Sequence, residues 1–151
     1  MIGDLHGDAD GLGQCLAVSG FDYNTDTLIQ LGDVVDGDEN VYECVEELLK
    51  IKHLIAIRGN HDDWFLQFLK TGFHPAYWQY GGPATIKSYS FRSSKPPVII
   101  STSSGYKTSL NPSDIPATHR QFFENQLPYY IDADNNCFVH AGFDPCVPFE
   151  Q

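Results

Sequence analysis

Four short segments of this chain carry side chains able to bind a metal ion. They are Gly3-Asp4-Leu5-His6-Gly7, Gly32-Asp33-Val34-Val35-Asp36, Gly59-Asn60-His61-Asp62 and Val139-His140-Ala141-Gly142. Each directly follows a run that reads as a strand. In open α/β sheets, sites form beyond the carboxyl ends of the strands. Four such ends would bring Asp4, His6, Asp33, Asn60, His61 and His140 to one surface. Carboxylate and amide oxygens together with imidazole nitrogens suit manganese above all, with iron, zinc or nickel as alternatives; structural zinc prefers thiolates. A carboxylate has two oxygens, so a central Asp can bridge two cations. A pair of ions so held would deprotonate a water between them and grip phosphoryl oxygens for in-line attack.

The elements that must position these residues follow from periodicity. Asp8 to Val18 reads as a weak helix, with Leu12, Cys15 and Leu16 at helical spacing. Thr27 to Leu31 is a short buried strand. Asn40 to Lys52 is the clearest helix: Val41, Cys44, Val45, Leu48 and Leu49 form one stripe, and Lys50, Lys52 and His53 fall where the dipole favours cations. Leu54 to Ile57 is a second buried strand. Asp62 or Asp63 can cap a helix through about Lys70, with Trp64, Phe65, Phe68 and Leu69 inward. This strand–helix–strand order predicts a layered α/β domain. Residues 71–116 read as an irregular insertion or cap broken at Gly81-Gly82-Pro83, with a short strand at Val98-Ile99-Ile100. His74, beside Pro75 and near Tyr77 and Trp78, reads as a packed or solvated loop residue outside the site. Ala117 to Leu127 is predicted helical, and Tyr129 to Ile131 with Cys137 to Val139 brackets a hairpin turn at Asp134-Asn135-Asn136.

In order and in context, the four segments resemble the GDxHG, GDxxD, GNH[D/E] and VHGG-like signatures of the calcineurin-like metallophosphoesterases. The resemblance is nearest to the bacterial and phage serine/threonine protein phosphatases, with the diadenosine tetraphosphatases similar. It runs from Gly3 to about Pro145. It implies a β-sandwich core flanked by helices, two divalent ions, and hydrolysis of phosphate monoesters by metal-bound hydroxide. Asp4 and His6 would hold the first ion, Asp33 would bridge, and Asn60 and His140 would hold the second. His61 resembles the family's general acid, and Asp36 the carboxylate that orients it. An imidazole needs a partner on its other nitrogen to fix its tautomer.

Two departures qualify the resemblance. Protein phosphatases of the family continue the second motif as Asp-Arg-Gly, whereas Asp36 is followed here by Gly37 and Asp38. A bidentate phosphate clamp is missing from that place, and Arg58, Arg92 and Arg120 are the candidates to replace it. The family also supplies a later Gly-His metal ligand, and a whole first strand where this chain has Met1 and Ile2. The chain is therefore expected to be a fragment clipped at both ends.

Composition bounds the rest. The 151 residues, 42% hydrophobic and 13% aromatic, suffice for one domain with a real core. A formal charge of −11 argues against nucleic acid as a partner. It fits either a soluble acidic surface or carboxylates awaiting cations. No apolar run approaches the roughly 18 residues that span a bilayer, and no leader pattern is visible, so a cytoplasmic protein is the default. The four cysteines lack a C-x-x-C pair and read as thiols, with Cys15, Cys44 and Cys137 in apolar stretches. Three functions compete: a phosphatase acting on phosphoprotein or a small phosphorylated molecule, a dinucleoside polyphosphate hydrolase, and a non-catalytic metal- or phosphate-binding remnant.

Overall fold

Two short apolar runs pair in parallel and set the frame. In the computed structural model, residues 1–74, 78, 80–93, 96–102, 105–142 and 146 are described. Strand β1 (Thr27–Gln30) pairs with β2 (His53–Ala56), Leu28 opposite Leu54 and Ile29 opposite Ile55. Parallel neighbours extend the ribbon on both sides: Ile2 bridges to Gln30, and Ile57 bridges to Leu127. Parallel strands point their carboxyl ends the same way, so the segments after Ile2, Gln30 and Ile57 leave at one edge. The buried Gln30 side chain reinforces that edge by donating to the Gly32 and Gly3 carbonyls and accepting from the Gly32 N–H.

Helices cover the ribbon. Helix α1 (Ala9–Ser19) starts where the Asp8 carboxylate accepts the Gly11 N–H at 2.8 Å and stops at Gly20 in the left-handed region. Helix α2 (Val41–Leu48) buries Val41, Cys44, Val45 and Leu48 completely. Its end comes earlier than the charge pattern predicts. Lys50 and Lys52 lie beyond it, and His53 opens β2 rather than closing the helix. Helix α3 (Asn60–Thr71) buries Phe65 and Phe68; Trp64 is only half-buried, its ring 4.5 Å from that of His61.

The described residues of the stretch 71–116 form more regular elements than its Gly-, Ser- and Pro-rich composition suggests. Helix α4 (Gly82–Arg92) begins at Gly82-Pro83, where proline suits the first helical turn. It buries Ile86 and Tyr89 against α2. Strands β3 (Ile99–Thr102) and β4 (Gly105–Thr108) pair antiparallel. Helix α5 (Ala117–Asn125) follows Pro116, and its buried His119 hydrogen-bonds the Tyr89 hydroxyl at 2.9 Å and Glu46 at 2.7 Å, joining α5 to α4 and α2. Strands β5 (Tyr130–Ile131) and β6 (Cys137–Phe138) form the expected hairpin, with Asn135 left-handed in its turn.

Among the described residues, five α-helices and three two-stranded sheets make a mixed α/β domain. No described helix is long and apolar enough to cross a membrane. Of the cysteines expected in the core, Cys44 is buried, but Cys15 and Cys137 are exposed, because neither faces a neighbouring layer. Residues 143–145, where the motif resemblance ends, lie outside the described residues, as do Pro75 and Tyr77.

His74 is packed rather than solvated. It is 3% exposed, stacks on Trp78 at 5.3 Å between ring centroids, and lies 4.3 Å from the Phe68 ring. Burial pushes its imidazole down to about 4 from an ordinary 6.5. The unfolded chain therefore takes up a proton between those values that the folded chain refuses. Stability should fall as pH drops from 6.5 toward 4, by on the order of 3 kcal/mol from this group alone. Urea unfolding of the parent and His74→Phe across that window checks it: the parent's slope should exceed the variant's.

Candidate metal and phosphate site

Asp62, fully buried at the third position of α3, organises the site. Its carboxylate accepts the main-chain N–H groups of Asp33 (2.9 Å), Val34 (2.9 Å), Val35 (3.3 Å) and Gly59 (3.2 Å), and the Gln126 amide at 2.8 Å. One side chain thereby ties the turn after β1 to the turn after β2 and to the end of α5. Burial pushes the Asp62 carboxyl up, while the bonds from Gln126, Gly59 and Val34 pull it back. All five partners are donors, so the carboxylate serves as an acceptor only.

That clamp fixes Asp33, which is 3% exposed and left-handed at φ 54°. Gly59 allows the two turns to touch: a Cβ there would sit 2.0 Å from Asp33 Oδ1 and 2.4 Å from the Asp33 nitrogen. The first motif then docks on the second. Leu5 and His6 donate their N–H groups to the Asp33 carbonyl, and Gly7 donates to that of Val34.

The histidines are held so that one nitrogen of each faces inward. His6 Nδ1 lies 2.9 Å from the Val35 carbonyl, and His140 Nδ1 lies 2.8 Å from the Leu31 carbonyl. A carbonyl can only accept, so Nδ1 carries the hydrogen and Nε2 is left with its lone pair. His6 Nε2 stands 3.8 Å from Asp33 Oδ2 and 3.9 Å from Asp4 Oδ2. His140 Nε2 stands 3.3 Å from Asp33 Oδ2 and 3.1 Å from Asn60 Oδ1. His61 donates its main-chain N–H to Asp33 Oδ1 at 3.0 Å, and its Nδ1 meets Asp36 Oδ2 at 2.7 Å.

All seven residues singled out by the motifs, Asp4, His6, Asp33, Asp36, Asn60, His61 and His140, thus join one cluster. Two donor sets suited to a cation emerge among the described residues. One comprises His6, Asp33 and His61, the other Asp4, Asp33 and His140, each with its donor atoms within 4.8 Å of one another. Asp33 belongs to both. The grouping differs in detail from the expected one: His61 stands with His6, and Asp4 reaches toward His140 as well as His6. Around His140, a nitrogen lone pair and the oxygens of Asp33 and Asn60 converge, an arrangement that a cation relieves.

Asp36 is buried on the far side of His61. Its Oδ1 accepts the Thr85 hydroxyl at 2.6 Å, and the Trp78 indole N–H is shared between Oδ1 (3.0 Å) and Oδ2 (2.9 Å). Burial pushes the Asp36 carboxyl up, and the bonds from Thr85, His61 and Trp78 pull it down. Trp78, Thr85, Asp62 and Gln126 were not assigned to the site by sequence. A signal existed only for Asp62, which follows Asn60-His61 directly. Two of the candidate replacement arginines are engaged elsewhere, Arg58 donating to the Gln126 carbonyl and Arg92 pairing with Glu43; the third, Arg120, lies on α5. The Asp38 carboxylate turns back onto the Glu39 N–H at 2.6 Å.

A family model described as calcineurin-like phosphoesterase matches residues 1–142, and the chain belongs to that family. Membership points to metal-dependent hydrolysis of phosphate esters. No curated protein matches the chain.

Asp62→Asn would place an amide against main-chain N–H groups that need an acceptor. It should destabilise the fold by about 2–4 kcal/mol, read as a lower urea midpoint. It should also weaken manganese binding by calorimetry, because Asp33 loses its anchor.

Proposed function

We propose that this chain is a phosphomonoesterase that works with two divalent cations, manganese the foremost candidate, on phosphoprotein or a small phosphorylated molecule. The observation that carries this reading is the position of Asp33, a buried carboxylate common to two donor sets. Its Oδ1 is occupied by the His61 N–H, and its Oδ2 faces the Nε2 atoms of His6 and His140. In this reading Asp4 and His6 serve one ion, Asn60 and His140 the other, and Asp33 both. Bound there, the ions would supply Lewis acidity toward the phosphoryl oxygens and acidify a water. The β-sandwich implied by the motif resemblance belongs to the same proposal, with the β1–β2 ribbon as part of one sheet.

The chain's own residues supply positioning and a proton. With His61 Nδ1 committed to Asp36, Nε2 is the nitrogen left for the substrate. As a water oxygen bonds to phosphorus and that water's proton passes to solvent, the ester P–O electron pair departs with the alcohol oxygen, which takes the His61 Nε2 proton, and solvent reprotonates His61. Asp36, held as a hydrogen-bond acceptor, keeps Nδ1–H engaged and so leaves Nε2 as the nitrogen that faces the leaving oxygen. Asp38 Oδ1 is held against the neighbouring backbone by the Glu39 N–H.

Hydrolysis of p-nitrophenyl phosphate should require added manganese and disappear with a chelator. Asp33→Asn should reduce the rate by about 10³-fold, and His61→Ala by about 10²-fold or more. Absence of turnover at every metal concentration, with His61→Ala equal to the parent, would support the remnant reading instead. Faster turnover of diadenosine tetraphosphate than of a phosphopeptide would shift the assignment to a dinucleoside polyphosphate hydrolase.

A further inference from the structure

Trp78 and Thr85 do more than pack. Trp78 is 1% exposed and is wedged among Phe65, Phe68 and His74, with ring centroids 5.8, 5.7 and 5.3 Å away. Those contacts leave the indole one orientation, and in it Nε1–H points between the two Asp36 oxygens. Thr85 grips the same residue twice. Its oxygen accepts the Asp36 main-chain N–H at 2.9 Å, so its hydroxyl hydrogen is free to go to Asp36 Oδ1 at 2.6 Å. The Gly81-Gly82 pair makes this approach possible. A Cβ on Gly81 would lie 2.7 Å from Asp36 Cβ, and one on Gly82 would lie 2.9 Å from the Trp78 ring. Asp36 itself is left-handed at φ 71°, a conformation that costs an L-residue on the order of 1–3 kcal/mol unless its surroundings impose it.

We propose that Trp78 and Thr85 are positioning residues that hold the Asp36 carboxylate so that it fixes the His61 ring for proton delivery to the leaving oxygen. The proposal rests on the phosphomonoesterase reading above for its catalytic consequence, although the cradle itself does not. Three donors converge on one buried carboxylate: an indole N–H, a hydroxyl and an imidazole N–H. The indole N–H can only donate, and the Thr85 oxygen already accepts the Asp36 main-chain N–H, so both direct a hydrogen at the carboxylate and keep its acceptor oxygens turned toward His61 Nδ1. Removing either would let the carboxylate rotate, and the imidazole would lose its single tautomer.

The test uses two arms on the full chain. In the first, kcat/KM is measured with manganese for 2,4-dinitrophenyl phosphate, whose leaving group needs no proton, and for phenyl phosphate, whose leaving group does. Thr85→Val and Trp78→Phe should raise the ratio of the two by about tenfold, while Thr85→Ser, which keeps the hydroxyl, should hold the parent's ratio. Unfolded material lowers both rates alike and cancels from the ratio. In the second arm, the metal-free protein is examined by nitrogen–proton NMR of the His61 ring in mildly alkaline buffer. The parent should show the Nδ1-protonated form, and the two disabling variants a mixture. An equal loss with both esters, or an unchanged His61 tautomer in both variants, overturns the proposal. If the parent hydrolyses neither ester, the phosphomonoesterase reading fails, and the NMR arm alone decides the cradle.

Discussion

The Asp62 carboxylate is the constraint on which the site depends. Catalytic loops are irregular, and irregular backbone leaves N–H groups without partners unless something accepts them. Here four such groups, from two turns far apart in sequence, converge on one buried side chain. The turn after β1 would otherwise have little reason to hold Asp33 and Asp36 in the left-handed region, where neither is at ease. His6 shares that conformation. Three of the residues that would do chemistry therefore carry backbone strain, and at Asp33 the Asp62 carboxylate offsets it by accepting the main-chain N–H.

Charge is divided in the same way. The chain carries far more acidic than basic residues, and several carboxylates crowd one edge of the ribbon. Asp36 and Asp62 are satisfied from within by protein donors, and so their charge is spent on geometry. Asp4 is half-exposed, and among the described residues Asp33 Oδ2 is met by the imidazole nitrogens of His6 and His140. These are the oxygens left for an external cation. The acidic balance thus has both a surface reading and a local one, and the local one concerns a few oxygens only.

What could be read from sequence was the set of side chains that follow strands, because strand ends and ligand types are both local signals. Asp4, His6, Asp33, Asn60, His61 and His140 were found that way, and the hairpin before His140 came from its turn residues. The partners that hold them were not legible. Trp78 and Thr85 lie 42 and 49 residues from Asp36, and no spacing rule links them. Gly81-Gly82-Pro83 read as a break, yet the glycines admit close neighbours and the proline starts α4. Lys50, Lys52 and His53 suit a helix end by charge, yet the packing of α2 stops at Leu48, and the chain needs the next residues to enter β2. Cys15 and Cys137 sit in apolar company without facing the core, since periodicity marks a face but not what covers it.

The two oxygens of Asp33 show how the layers of the structure meet in one atom pair. Oδ1 is bound to the first turn of α3 through the His61 N–H, so the helix start sets the carboxylate plane. With that plane set, Oδ2 must project between His6 and His140, whose rings are themselves turned by the carbonyls of Val35 and Leu31 on the same segment as Asp33. The placement of Asp33 Oδ2 between the two rings is therefore defined from one stretch of backbone, 31–35, rather than from three independent loops. A shift of that stretch would move the carboxylate and both imidazoles together and preserve their relation to one another. Movement of α3 relative to it would not, and this is the relation that the Asp62 side chain locks.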